Sequence, residues 1–320
     1  MKNKNHYIIS LGNFCKLLSE QAENLGVNIF QGFSATRALF NKKGIVIGVQ
    51  TGDIGLNKDG KPTDHCQPGL NLYAKQTLLA EGCRGSLTEE LIQHFNLRRN
   101  SDFQSYGIGI KELWKISSKK HKKGAVIHTV GWPLDRKTYG GSFIYHYENN
   151  LLALGLIVGL DYQNPYLDPF KELQRFKMHP FIRPLLEDGE RVGYGARALN
   201  EGGLQSIPKI TFPGGMLIGC SAGFLNVGKI KGTHTAMKSG ILAADTILQE
   251  KNFQYSQELK QYSTAVKHSW IYKELAIVHA MVRNIRPSFH KGLWAWSPLF
   301  CPRSVYFAWK SAPLDISTSI

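Results

Sequence analysis

The chain has no apolar run of 18 residues or more, so it carries no sequence signal for a transmembrane helix. Its five cysteines, Cys15, Cys66, Cys83, Cys220 and Cys301, are scattered, with no two within three residues of each other. That excludes a CxxC metal or cluster motif and argues against a secreted disulfide framework. A reducing compartment is the simpler reading. The N-terminus, MKNKNHYIIS, has two lysines but no apolar core of signal-peptide length, and it lacks the arginine of a mitochondrial presequence. Internal repeats are absent. Acidic residues are in deficit: 24 Asp and Glu against 39 Lys and Arg give a formal net charge of +15. Such an excess suits an anionic partner, whether nucleic acid, an anionic membrane face or an acidic protein. The lysines are spread out apart from SSKKHKKG (117–124), a solvated loop by composition, and no nucleic-acid-binding signature accompanies them. Nucleic acid is therefore not the expected partner.

What the chain does have is glycine, 32 residues of it among 320, with 13 prolines, which favours turns and mixed α/β structure over a helical bundle. Residues 8–25 have apolar positions at helical spacing, and VNIFQG (27–32) reads as a buried strand. ALFNKKGIVIGVQTGD (38–53) reads as a hairpin turning at Lys43-Gly44, and 53–69 as a polar loop. Residues 72–80 form a strand that meets AEGCRGSLTEELIQHF, a strand–turn–helix unit. From about 103 to 205 aromatics and glycines alternate, as expected of an antiparallel sheet packed on a few helices. An apolar strand at 207–220 leads to a helix over 233–250 with Ala236, Ile241, Leu242, Ala244 and Ile247 along one side. Residues 262–282 place Trp270, Ile271, Leu275, Ile277, Val278 and Met281 among Lys267, His268 and Lys273. That segment suits either a core-facing helix or a helix at a membrane interface, with further aromatics at Trp294, Trp296, Phe300, Tyr306, Phe307 and Trp309.

The loop GCSAGFLNVGKIKGTHTAMKSG (219–240) lies between that strand and helix. A helix N-terminus offers unpaired N–H groups and a positive dipole end, and Gly223, Gly228 and Gly232 allow close backbone approach. Lys229 and Lys231 add charge, and Thr233 and Thr235 add hydroxyls. The spacing meets neither GxGxxG nor GxxxxGK[ST]. A capped glycine-rich turn without a ligand is the alternative. The Glu81-Gly82 pair in AEGCRGS belongs to a second strand–turn–helix unit, and two such units facing one cleft suggest a large cofactor.

Six segments carry a family resemblance: YGIGIKELW, HTVGWPLDRKTYGGSFIYH, GLIVGLDYQNPYLDPF, YGARALNEGGLQSIPK, FPGGMLIGCSAGFLNV and KIKGTHTAMKSGILAA. Together they resemble electron transfer flavoprotein–ubiquinone oxidoreductase from about residue 6 to about residue 290. The resemblance implies a mixed α/β fold. Its parts are a sequence-discontinuous, glutathione-reductase-like FAD-binding domain and an inserted antiparallel-sheet ubiquinone-binding domain. Residues 1–100 and 206–250 would then be parts of the FAD domain, 101–205 the ubiquinone domain, and 251–320 a membrane-associated C-terminal segment.

The resemblance further implies electron transfer from electron transfer flavoprotein through FAD and a 4Fe-4S cluster to ubiquinone. It places this on the matrix side of the mitochondrial inner membrane, against anionic lipid. It assigns the quinone contact to Gly140 and Gly141, and FAD contacts to Glu81, Gly82, Gly223, Asn226, Gly232, Thr233 and Thr235. Thr235 would stand beside the flavin ring, where its hydroxyl tunes the potential. No catalytic acid or base is implied, because cofactors carry the chemistry.

Two departures are expected to matter. The opening GxGxxG loop that grips the FAD pyrophosphate is not supplied. The cluster cysteines are missing too, with Cys301 alone beyond Cys220, so no metal ligands are assigned. The expectation is a chain truncated at both ends. An inactive fragment and a flavin-dependent monooxygenase- or reductase-like protein remain the alternatives.

Overall fold

The computed structural model describes residues 7–250 and 257–278, and the backbone of a strand at 305–310. Along the chain come α1 (Leu11–Asn24), β1 (Ala35–Phe40), β2 (Val46–Thr51), β3 (Ile54–Leu56), β4 (Pro62–Gln67), β5 (Asn71–Tyr73), β6 (Thr77–Leu79) and α2 (Ser86–His94). Next are β7 (Tyr106–Lys115), β8 (Ala125–Val130), β9 (Gly140–His146), β10 (Leu151–Gly159), α3 (Pro169–Lys177), α4 (Arg183–Leu186) and β11 (Glu190–Asn200). Then follow β12 (Thr211–Phe212), β13 (Gly215–Leu217), α5 (Thr233–Gln249), α6 (Gln261–His268) and β14 (Val305–Lys310), with residues 270–278 also helical. Two units result: residues 1–29, 106–199 and 284–320 form one, and residues 30–105 and 200–283 the other.

The first unit is built on a sheet of order β11-β7-β10-β9-β8-β14. β10 is central and antiparallel to both β7 and β9 in unbroken register. Its alternate residues Leu152, Leu154, Leu156 and Val158 are almost fully buried, and they meet Ile144 of β9 and Leu173 and Phe176 of α3 in one core. α3 starts cleanly because Asp168 accepts from the Phe170 and Lys171 amides and Pro169 fills the first helical position. Glu112 of β7, 1% exposed, fastens this helix to the sheet. It pairs with Lys177 at 2.9 Å and Arg191 at 3.5 Å and accepts from the Trp114 indole at 2.8 Å. Burial alone would push the Glu112 carboxyl up, but these donors and charges hold it below its ordinary value.

In the second unit, β6 and β13 run parallel, and β12 extends them. The hairpin β1–β2 turns at the expected residues: the Asn41 carboxamide accepts from the Lys43 and Ile45 amides, and Gly44 takes φ +72. The core holds Leu79, Leu87, Leu91, Phe212, Met216, Leu217, Phe224 and Ala243.

Four expectations are corrected. Residues 27–32 are not a strand; Val27 and Phe30 are more than half exposed, so the apolar run has no sheet to join. Residues 53–69 are not loop alone but contain the hairpin β3–β4, with Asn57 closing the turn through the Asp59 and Lys61 amides. Residues 72–80 break at Ala74–Gln76 into β5 and β6, which belong to different sheets.

The buried stripe of α5 is Thr235, Ser239, Ala243 and Thr246 rather than the aliphatic side. Ile241 is half exposed, because small residues let the helix lie close to the 219–221 turn, where Ser239 Oγ accepts from the Gly219 amide at 2.9 Å. The apolar side of 261–278 is taken up by the core: Tyr262, Val266, Ile271 and Leu275 are at most 5% exposed. Trp270, Tyr272 and Ile277 remain outside it. Met281, Trp294, Trp296 and Phe300 lie outside the described residues. No helix among the described residues is long and apolar enough to cross a membrane.

Candidate functional site

Leu79 of β6 and Leu217 of β13 are register partners, so the loops that follow both strands leave from one end of a parallel pair. Ligands of open α/β sheets bind at such carboxyl ends. The two loops are joined directly: the Ile218 amide donates to the Leu79 carbonyl at 3.1 Å, and Ser221 Oγ donates to the Gly82 carbonyl at 3.2 Å. Gly82 has φ +88 and nothing within 4 Å of where a Cβ would stand, which leaves an open cradle beside the backbone. Gly223 also has φ +88. α5 begins at Gly232, which offers no side-chain cap to the first-turn amides. Glycine backbone, open space and uncapped N–H groups fit the backbone cradle of an FAD.

The expected side chains divide. Thr233 stands exposed at the start of α5. Thr235 does not present its hydroxyl outward; it is fully buried, with Oγ1 2.5 Å from the Phe224 carbonyl and 2.8 Å from the Gly232 carbonyl. Its one proton is shared with these two carbonyls, which makes the side chain a clasp on the loop. Glu81 is likewise turned to its own chain, accepting from the Thr88 amide and hydroxyl, each at 2.7 Å, and so capping α2. Asn226, fully buried, exchanges backbone hydrogen bonds with Lys231 and accepts from the Lys229 amide through Oδ1.

One residue that the sequence reading missed ties this loop together. The Glu274 carboxylate accepts from Asn226 Nδ2 at 2.5 Å, pairs with Lys229 Nζ at 3.0 Å and lies 2.7 Å from His234 Nε2. Burial pushes its acidity one way, but the His234, Lys229 and Asn226 donors outweigh it and hold the carboxyl low. Trp270, one helical turn before Glu274, stacks on the His234 ring with centroids 5.5 Å apart. The available signal was the i, i+4 spacing of Trp270 and Glu274. Elsewhere in the same unit a pocket of about 660 Å³ is lined by Arg99, Ile207, Phe224, Ile271 and Leu275 among others, and it contains none of the expected flavin contacts.

The glycine pair in TYGGSF falls in β9, and the two residues face opposite ways. A side chain on Gly140 would strike Leu134 and the Ile157 carbonyl, so its smallness serves sheet packing. Gly141 alternates with it and shares a face with Phe143 and Tyr145.

The family model "ETF-QO, ubiquinone-binding" matches residues 106–199. An electron transfer flavoprotein-ubiquinone oxidoreductase of Homo sapiens is 56% identical over 298 residues, covering 91% of this chain and 48% of the relative. Curated relatives at 52–56% identity carry this name. One of Pseudomonas aeruginosa is 52% identical over 294 residues, covering 91% of this chain and 53% of that relative. The chain thus spans about half the length of the curated oxidoreductases it matches.

Among solved structures, a geranylgeranyl bacteriochlorophyll reductase-like protein of Thermoplasma acidophilum superposes with a TM-score of 0.59 at 15% identity, over 87% of this chain and 65% of that one. A flavin-dependent brominase, Bmp2, as a triple mutant gives 0.52 at 18% identity, over 88% and 69%. These two likenesses speak to the fold alone, a mixed α/β architecture.

Proposed function

We propose that this chain carries flavin- and quinone-binding parts of an electron transfer flavoprotein–ubiquinone oxidoreductase. In that reading it accepts electrons from electron transfer flavoprotein and reduces ubiquinone to ubiquinol. The observation that carries the reading is the family-model match to residues 106–199, a segment that forms the sheet of its own unit. Identity of 52–56% over 91% of the chain supports it. Under this reading residues 30–105 and 200–250 serve the flavin and 106–199 the quinone. The monooxygenase- and reductase-like alternative rests on fold likeness alone.

FAD, when bound, supplies the electron carrier between donor and quinone. Gly82, Gly223 and the α5 start at Gly232 and Thr233 would hold it by backbone approach. Glu81, Asn226 and Thr235 position those backbones from behind, by the hydrogen bonds described above. Gly141, where a Cβ would meet the Thr129 carbonyl oxygen at 2.7 Å, keeps this part of β9 flat for a quinone ring to lie along. A 4Fe-4S cluster does not fit the described residues: among them no three His, Cys, Asp or Glu side chains could hold a metal. No step is routed through a cluster. The matrix face of the mitochondrial inner membrane is the proposed site, supported by mitochondrial relatives and by a net charge of +15 that suits anionic lipid.

The test is flavin content followed by turnover. Residues 1–320 are purified in mild detergent with FAD, stripped of free cofactor, and read for the flavin spectrum. They are then reduced and mixed with a short-chain ubiquinone. Stoichiometric flavin and ubiquinol formation are expected. Colourless protein overturns the reading.

A further inference from the structure

Turning a quinone into a quinol takes two electrons and two protons, and the resemblance assigns no residue to the protons. The sheet of residues 106–199 has one face packed on α3 and another that is chemically different. By strand alternation, that second face carries Gly141, Phe143, Tyr145 and Tyr147 of β9. His128 of β8 stands opposite Phe143 and so shares the face. Across β10, Phe143 is paired with Gly155 and Tyr145 with Ala153. A side chain on Gly155 would run into the Phe143 ring, so the aromatic lies flat on the sheet.

Tyr145 is opposite Val126, yet its hydroxyl lies 3.3 Å from His128 Nε2, and its ring is 4.9 Å from that of Phe143. The tyrosine therefore leans along β9 toward Gly141. The His128 and Tyr145 rings meet edge to face at 5.5 Å. A quinone ring lying on this face at Gly141 would have a phenol and an imidazole, already hydrogen-bonded to each other, at its far side.

We infer that Tyr145 and His128 form the proton relay to a quinone carbonyl bound on this face; the inference rests on the quinone reading above. Tyr145, which would touch the substrate, donates its phenolic proton to the carbonyl oxygen as electrons arrive from the reduced flavin. In concert, His128 Nε2–H donates to the phenolic oxygen as the replacing proton enters at its buried Nδ1. This turns one C=O into C–OH; the second carbonyl oxygen, at the opposite end of the ring, takes its proton from water, so that two electrons and two protons give the quinol and no bond between heavy atoms breaks. Burial, with the neighbouring Tyr147, pushes Tyr145 above the usual phenol range, so it rests as a donor at neutral pH. Among the described residues the other titratable groups on this face are Tyr147 of β9, Lys111 and Lys115 of β7 by register, and Tyr139 and Asp161, which meet the Cβ position of Gly159 at 3.2 and 2.9 Å.

The experiment uses FAD-loaded residues 1–320 and a short-chain ubiquinone, with two readouts. The first is the infrared carbonyl band of the bound quinone, which a hydrogen bond lowers. In Tyr145→Phe that band should rise. The second is quinol formation, which should slow about 100-fold in Tyr145→Phe with an unchanged KM. His128→Gln, which keeps a donor but cannot relay, should slow turnover and enlarge its solvent deuterium effect. Tyr166→Phe, at an exposed tyrosine of the same unit, should match the parent, and an unchanged melt of Tyr145→Phe controls for folding. If quinone binds and neither band nor rate moves in Tyr145→Phe, the relay is overturned and the quinone reading stands. If the unmodified chain binds no quinone, both fall.

Discussion

Thr235, Glu81 and Asn226 looked in the sequence like ligands, and each has its polar atoms engaged by its own chain. The reason is physical. A hydroxyl or carboxylate within reach of loop amides and carbonyls satisfies them first, since an orphaned buried group costs about 1–3 kcal/mol. What remains for a cofactor is backbone, and backbone is what glycines at positive φ announce. The close backbone turns at Gly82 and Gly223 were therefore legible, while the bracing by Glu274 was not, because its partners lie 40 and more residues away and its spacing from Trp270 marks a helix face without naming what that face meets. Glu274→Ala removes the acceptor shared by Asn226, Lys229 and His234. We expect a loss of about 2–3 kcal/mol in stability, since the bonds involve a charged group. A lower melting temperature together with weaker flavin retention checks it. Weaker retention without a change in melting would contradict the bracing role.

At the scale of elements, strands with a one-sided pattern were easiest to read. The alternation in β7 to β10 follows from one face packing on α3. The misread elements were those where composition and context parted. VNIFQG had strand composition without a neighbour, and α5 buries hydroxyls and alanine because close approach to a turn excludes larger side chains.

His146 shows how such packing sets a pH response. It is 3% exposed, its Nδ1 accepts from the Lys122 amide at 3.2 Å, and His121 lies edge to face at 5.2 Å. Burial first, then the His121 and Lys122 charges, lower it to about 4. The unfolded imidazole titrates near its ordinary value, so in that window the unfolded chain binds more protons. Stability is thus complete above about pH 6.5 and falls as pH drops toward 4, by about 3 kcal/mol for this group. Melting followed from pH 7.5 to 4.5 should show a slope that His146→Phe flattens. An unchanged slope refutes the assignment. Glu112 acts lower: with its carboxyl held below its ordinary value, its contribution persists until the pH passes beneath the usual carboxylate range.

For the whole molecule, alternating aromatics and glycines from 103 to 205 announced the sheet that residues 106–199 form, and the strand–turn–helix units announced the parallel pair that carries the loops. The segment 106–199 also has a narrow neck. Just outside it, the Glu201 amide donates to the Ser105 carbonyl at 2.7 Å, so the chain leaves for this segment and returns from it through a gap one hydrogen bond wide. Joining two points already that close adds little loop-closure entropy. The segment is therefore wired as a plug-in cassette: a short turn linking 105 to 200 should let the unit of residues 30–105 and 200–283 fold, read as a cooperative melt, and an aggregated product would show that the insert is needed to shape its host. A lineage could exchange such a cassette, and with it whatever that sheet binds, while leaving the chain path of the host unit untouched.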